Sequence, residues 1–237
     1  MTINIENYRK MLEQPWGKIQ YEITFEQLSH IKNKKILDFG SGFGLVSEFL
    51  ADDNDVIAIE PNEEMLFANQ NHSYKKILGS VEQLETFDDE FFDIVLCHNV
   101  LEYVIVEERP FYLEQFKRIL KTDGKLSIIK HNQVGKLIQS VVFSNNIEMA
   151  LGLLNNESFE SVSFSKGNLY SIEDLVDMTQ MTLEKYQGIR TFYSLQPNEF
   201  KSKENWLQEM KKIELAVSEL HPYKDISFLQ HLWLVKK

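Results

Sequence analysis

The chain has 237 residues, 43% hydrophobic and 26% charged, which excludes a disordered chain and supplies a core for one domain carrying at most a sizeable insertion. Acids outnumber Lys and Arg by 36 to 25, and the net charge of −11 excludes a protein whose whole surface grips nucleic acid or anionic lipid. The single cysteine, Cys97, excludes an internal disulfide and a Cys-rich metal centre.

The N-terminal MTINIENYRK is too polar for a signal peptide, and no stretch approaches the roughly 20 apolar residues of a membrane helix. A cytoplasmic location without membrane contact is the expectation. Residues 20–31 space Ile23, Leu28 and Ile31 as an amphipathic helix. A buried strand follows at 35–39, then a helix at 43–51 and a second strand at 55–60. Asn62, with Glu63 and Glu64 in the first turn, opens a helix over 62–71. Strands are predicted at 75–80 and 91–99, then a helix at 109–120 with Pro110 near its start. The turn Thr122-Asp123-Gly124 leads to a fifth strand, KLSIIKH. Five strand–helix alternations within 131 residues imply a parallel sheet with helices on both faces.

The period then breaks. A helical stretch around 134–154 is followed by a Ser- and Asn-rich stretch, and Ser171 with Asp174 fits the capping box of a new helix. A strand at 182–195, a helix at 203–219 and a last strand at 226–235 complete the reading. The expectation is one α/β domain over 1–237, with a seven-stranded, mostly parallel sheet. It has an N-terminal helical segment at 1–31 and a cap at 133–170 inserted after the fifth strand.

The chemistry-bearing motif is Asp38-Phe39-Gly40-Ser41-Gly42-Phe43-Gly44, between a strand and a helix. Its glycines allow a tight turn and the close approach of a ligand. No Lys-Ser/Thr pair follows, so it is not a phosphate loop. Asp38 would repel a pyrophosphate and welcome an ammonium group. Glu60 ends the second strand, 22 residues beyond Asp38, where an acid accepts both hydroxyls of a ribose; Pro61 and Asn62 then stop the strand. A cationic amine and an adenosine-type ribose are both present in S-adenosylmethionine.

The segments ILDFGSGFG, VIAIEPN, GSVEQL, FFDIVLCHNVLEYV and RILKTDGKLSIIKHN resemble, in order and spacing, those of class I S-adenosylmethionine-dependent methyltransferases with a Rossmann-like sheet. The resemblance covers about residues 35–132. It implies Asp38, Gly40 and Gly42 at the methionine end of the cofactor, Glu60 and Pro61 at the ribose, and Ser80 with Val81 framing the adenine. The family more often has Asp at the place of Ser80. His98, after the fourth strand, is either a wall residue beside the cofactor or a general base. The Trp16-Gly17-Lys18 segment with Tyr21 either folds over the cofactor, adding Lys18 to its site, or packs as a surface helix.

Cys97 reads either as a small buried hydrophobe or as the nucleophile of pyrimidine C5 methyltransferases, without the proline that usually accompanies it. The Asn/Asp-Pro-Pro-aromatic motif for exocyclic base amines is lacking. His98 and Glu102 lack a third metal ligand, so no metal is expected. Lys130, His131 and Asn132 end the fifth strand, where they either line an acceptor pocket or are solvated. Arg190, with Tyr193 nearby, needs an anionic partner: an internal carboxylate or an anionic substrate. His131, Arg190 and Tyr193 are therefore the candidate acceptor-side residues.

The N-terminal helix, the insertion after HNQVG, the segments NLYSIEDLVDM and GIRTFYSL and the closing strand are similar to those of enzymes that methylate the carboxyl group of 5-carboxymethoxyuridine at the tRNA wobble position. That resemblance implies a tRNA acceptor. The charge distribution leaves room for it. Residues 48–114 hold 17 acids and 3 Lys/Arg, whereas 115–136 hold six Lys/Arg and one Asp, giving either a basic strip for an RNA backbone or a solvated helix face. DNA is not expected as a partner. The alternatives are a small-molecule O- or N-methyltransferase with its substrate under 133–170, and a non-catalytic S-adenosylmethionine-binding protein.

Overall fold

A computed structural model describes residues 5–69, 73–160 and 166–237. Helices α1 (Ile5–Leu12) and α2 (Pro15–Leu28) precede strand β1 (Lys35–Phe39). Then come α3 (Leu45–Ala51), β2 (Asp55–Glu60), α4 (Glu63–Leu66), β3 (Lys75–Leu78), β4 (Phe92–His98), α5 (Arg109–Ile119) and β5 (Leu120–His131). The remainder is α6 (Gln133–Val142), α7 (Ile147–Leu154), β6 (Phe159–Glu160), β7 (Lys166–Gly167), α8 (Ile172–Thr179), β8 (Thr182–Ile189), α9 (Trp206–Val217), α10 (Tyr223–Ile226) and β9 (Leu229–Val235). None of the described helices is long and apolar enough to cross a membrane.

Seven strands form one sheet in the order β3-β2-β1-β4-β5-β9-β8, and β6 pairs antiparallel with β7. The run from β3 to β5 is parallel throughout. Its strands are short apolar runs because parallel strands are covered on both faces. Ile36, Leu37, Ala58, Ile59, Val95 and Leu96 are all fully buried. The chain order reverses at β1, whose neighbours are β2 and β4, and open α/β sheets bind ligands at the carboxyl ends beside such a switch.

Several elements differ from the sequence expectation for local reasons. The helix expected over 62–71 ends at Leu66 after a single turn capped by Asn62, whose side chain accepts from Met65 N. Residues 70 and 71 of that expectation lie outside the described residues, as do 161–165 of the expected insertion. The Thr122-Asp123-Gly124 turn lies inside β5 as a bulge. Phe92 pairs with Leu120, Ile94 pairs with Lys125, and Asp123 takes a left-handed φ of 61°. The helical stretch at 134–154 is two helices, because Asn145 is left-handed (φ 49°) and Asn146 caps α7 by accepting from Met149 N. The strand expected at 182–195 stops at Ile189, where Arg190 turns left-handed with φ 64°.

The chain divides into two compact units. The first comprises Met1–Thr24, Lys130–Ser171 and Tyr186–His231. In it α6 packs on α7, and Asn132 caps α6 while donating from Nδ2 to Asp225 O and Ser227 O. The second comprises Phe25–Ile129, Ile172–Lys185 and Leu232–Lys237, and holds β1 to β4. Its core includes Phe116, edge-on to Phe39 at 5.0 Å.

Candidate cofactor and acceptor sites

In the second unit the glycine turn is stitched to the end of β2. Gly40 N and Ser41 N both donate to Ile59 O, at 2.8 and 3.1 Å. Gly42 N donates to Glu60 Oε2 at 2.9 Å, and Asn62 N donates to Glu60 Oε1 at 3.0 Å. Gly40 has φ 74°, and a Cβ there would run into the Val100 side chain, so both conformation and space call for glycine. Gly79 N donates to Glu60 O at 3.2 Å, tying the turn after β3 to the same strand end. Ser80 and Val81 follow directly, with Ser80 N bonded to Glu82 Oε1. Pro61 is exposed at the strand exit. The structure therefore brings Asp38, Gly40, Gly42, Glu60, Ser80 and Val81 to one end of one sheet.

The electrostatics of this end are unusual. Asp38 is 3% exposed, and burial pushes its carboxyl up to about 6, against the opposing pull of a 2.6 Å hydrogen bond from Ser47 Oγ. Glu60 is 7% exposed and raised by burial too, with its two backbone donors opposing. Among the described residues neither carboxylate pairs with a Lys or Arg. Ser41 Oγ, between Gly40 and Gly42, is buried without a partner. Two buried acids and an orphaned hydroxyl at a glycine turn suit a cationic, hydroxyl-bearing ligand, and S-adenosylmethionine fits that donor and acceptor set. Ser47 is a site residue the sequence reading missed. Its signal was its place on the inner face of the helix that follows the glycine turn.

His98 ends β4 and bonds through Nε2 to Ser127 Oγ at 2.9 Å. Burial pushes it down to about 3, so the imidazole is neutral at pH 7 and a poor proton acceptor. That favours the wall residue over the general base. Cys97 is fully buried, and burial pushes its thiol well above the ordinary range, which disfavours a nucleophile.

The acceptor-side residues lie in the first unit. The His131 ring sits against Phe159 at 5.1 Å and Phe228 at 5.4 Å. The Arg190 guanidinium lies 4.5 Å from the same Phe228 ring and 5.0 Å from Tyr193, so the three predicted residues form one cluster. Lys201 joins it, with Nζ 4.0 Å from the Tyr193 centroid. Trp16 also lies in this cluster, 5.5 Å from Arg190, whereas Lys18 is an exposed residue of α2.

The basic residues of 115–136 do not form a continuous exposed strip. Lys117 donates to Thr179 O and Gln180 O, Arg118 pairs with Asp89, Lys121 with Asp93 and Lys125 with Glu184. Lys130 and Lys136 are buried over the rings of Tyr170 and Phe159. The strip is interrupted because four of these side chains reach carboxylates or carbonyls at the surface and two lie along aromatic rings. A cavity of about 690 Å³ opens at the amino ends of β1 and β4, and contains none of the predicted site residues. Two of its lysines, Lys121 and Lys125, are the ones paired with Asp93 and Glu184.

Comparison with known proteins agrees with this layout. Residues 37–128 match the family described as Methyltransferase domain. A SAM-dependent methyltransferase from Thermotoga maritima superposes with a TM-score of 0.63 at 18% identity, over 99% of this chain and 96% of that one. The chain therefore shares the Rossmann-like fold of such structures, and its residues 37–128 are similar to a methyltransferase domain. An uncharacterized protein of Methanocaldococcus jannaschii is 33% identical over 143 residues, 59% of this chain and 60% of that protein. A ubiquinone biosynthesis O-methyltransferase of Coxiella burnetii is 31% identical over 107 residues, 43% of this chain and 45% of that enzyme. The matches thus span about half the length of these curated relatives.

Proposed function

We propose that this chain is an S-adenosylmethionine-dependent methyltransferase acting on a carboxylate-bearing acceptor. The observation that carries the cofactor is the pair of buried carboxylates that pair with no Lys or Arg among the described residues, Asp38 held by Ser47 Oγ and Glu60 by Gly42 N and Asn62 N. Asp38 would hold the ammonium end, Glu60 the ribose hydroxyls, and Ser80 with Val81 the adenine, with Pro61 and His98 as walls. The cofactor supplies an electrophilic methyl group and the positive charge these acids lack. The match of residues 37–128 to the methyltransferase-domain family supports the same reading.

A carboxylate acceptor is supported by Arg190, which is buried and makes no ion pair among the described residues, with Lys201 beside it over Tyr193. Such an acceptor is already ionised at neutral pH, so no strong base is required of His131 or His98, and holding and aligning it is enough. The resemblance to 5-carboxymethoxyuridine methyltransferases supports a tRNA carboxylate. The pairing of the 115–136 basic residues within the chain and the ubiquinone biosynthesis O-methyltransferase among the relatives favour a small-molecule acceptor instead.

Incubation with methyl-labelled cofactor and either bulk tRNA or a metabolite extract separates these readings. Label in tRNA alone supports the wobble-uridine carboxylate, and label in small acids alone excludes it. Label in neither, with the cofactor bound, marks a binding protein without transferase activity.

A further inference from the structure

Arg190 is enclosed by rings and not by acids. Its guanidinium stands 4.5 Å from the centroid of Phe228, 5.0 Å from Tyr193 and 5.5 Å from Trp16. The side chain makes one described hydrogen bond, from Nη1 to Gln20 Oε1 at 3.2 Å, and Nε is buried without a partner. The acid that acts on it electrostatically is Glu214, and that carboxylate is already used. Its Oε1 accepts from Phe192 N and Tyr193 N, each at 2.8 Å, and its Oε2 from Thr191 N at 2.7 Å.

A second cation stands beside the first. Lys201 Nζ lies 4.0 Å from the Tyr193 centroid and 4.8 Å from that of Phe143, and its one described hydrogen bond goes to Asn198 Oδ1. Burial, and then the Arg190 charge, push this amine down to about 8. Buried guanidinium groups are ordinarily paired, and two neighbouring cations that make no direct ion pair among the described residues are an arrangement an anion completes. Arg190 is also held at φ 64°, a conformation uncommon for a residue with a side chain, as is found where a site fixes a group in place.

We infer that this box in the first unit binds an aromatic carboxylate, with the carboxylate on Arg190 and Lys201 and the ring against Trp16, Tyr193, Phe143 and Phe228. The cations call for the negative charge. The four rings that stand against these cations also give a planar apolar body aromatic surface to pack on, which a fully hydrated anion would not use. Phe143 and Lys201 are partly exposed, so the box has a side open to solvent. Calling the bound acid an acceptor rests on the methyltransferase reading, but its binding does not.

The test is a titration of the full chain with benzoate in the absence of cofactor, followed by tryptophan fluorescence. Trp16 faces Arg190, and Trp206 stands edge-on to Tyr193 at 5.8 Å, so both report on the box. Benzoate should give a saturable change, with benzamide and inorganic phosphate at least about tenfold weaker. Arg190→Gln and Lys201→Gln should each weaken benzoate by about tenfold or more, as the loss of a charge-assisted contact does. Lys201 is half-buried on a loop, so Lys201→Gln stays informative even if Arg190→Gln fails to fold. No saturable response to benzoate at about 10 mM overturns the inference. So does equal binding of benzamide or phosphate, or wild-type benzoate affinity in Lys201→Gln. S-adenosylmethionine calorimetry on the same sample keeps the two proposals apart. Cofactor binding without benzoate binding defeats only the box, and benzoate binding without cofactor binding defeats only the methyltransferase reading.

Discussion

Replacing Asp38 by Asn should stabilise the ligand-free protein while destroying its ability to hold the cofactor. The carboxyl group of Asp38 moves from an ordinary 3.8 to about 6 because the folded chain buries it without a cation. Each pH unit of such a shift is worth about 1.36 kcal/mol. The ionised side chain therefore costs the folded state about 3 kcal/mol at pH 7.5. The sign follows from linkage. A carboxyl group raised on folding leaves stability intact below its unfolded value, and the stability is lost as pH rises through about 6. The Asn variant keeps an oxygen to accept from Ser47 Oγ and discards the charge. In urea unfolding it should gain up to about 3 kcal/mol over wild type at pH 7.5, shrinking to about 1 kcal/mol at pH 4.5. A variant no more stable than wild type at pH 7.5, or equally stabilised at both pH values, refutes the reasoning.

Three further outcomes follow from buried groups. Cys97 should resist a thiol-directed reagent in the native protein and react in denaturant, and Cys97→Ala should keep methyl transfer; fast native labelling contradicts this. Glu214→Gln leaves one of three backbone donors without its carboxylate oxygen and should cost about 1–3 kcal/mol by denaturant unfolding, whereas an unchanged midpoint contradicts the count. Gly135→Ala drives a Cβ into the Ser227 carbonyl and against Phe228 Cα at 2.8 Å, so a loss of about 2 kcal/mol or more is expected, read as a lower melting temperature.

The parallel half of the sheet was legible because each strand is a short apolar run cut off by Gly, Pro or Asn, and that punctuation also fixed the glycine turn and Glu60. What the sequence left unread depends on distant partners. The Thr122-Asp123-Gly124 turn lies within a strand because Leu120 already pairs with Phe92. The apolar Val141-Val142-Phe143 run masked the break that Asn145 and Asn146 impose. Lys201 lies in a polar stretch eleven residues beyond Arg190, and only the fold carries it over Tyr193. Glu214 left a trace. It shares the apolar face of α9 with Trp206, Met210 and Val217, where an acid needs donors, and those donors are the backbone that sets Arg190. The basic composition of 115–136 was real, but composition does not say which lysines already have partners.

The most direct test of the central claim is a calorimetric titration of the wild-type chain and of Glu60→Ala with S-adenosylmethionine. One site of roughly micromolar affinity is expected in the wild type, weakened by at least about a hundredfold in Glu60→Ala with its fold intact. Absence of binding by the wild type, or equal binding by the two proteins, would contradict it.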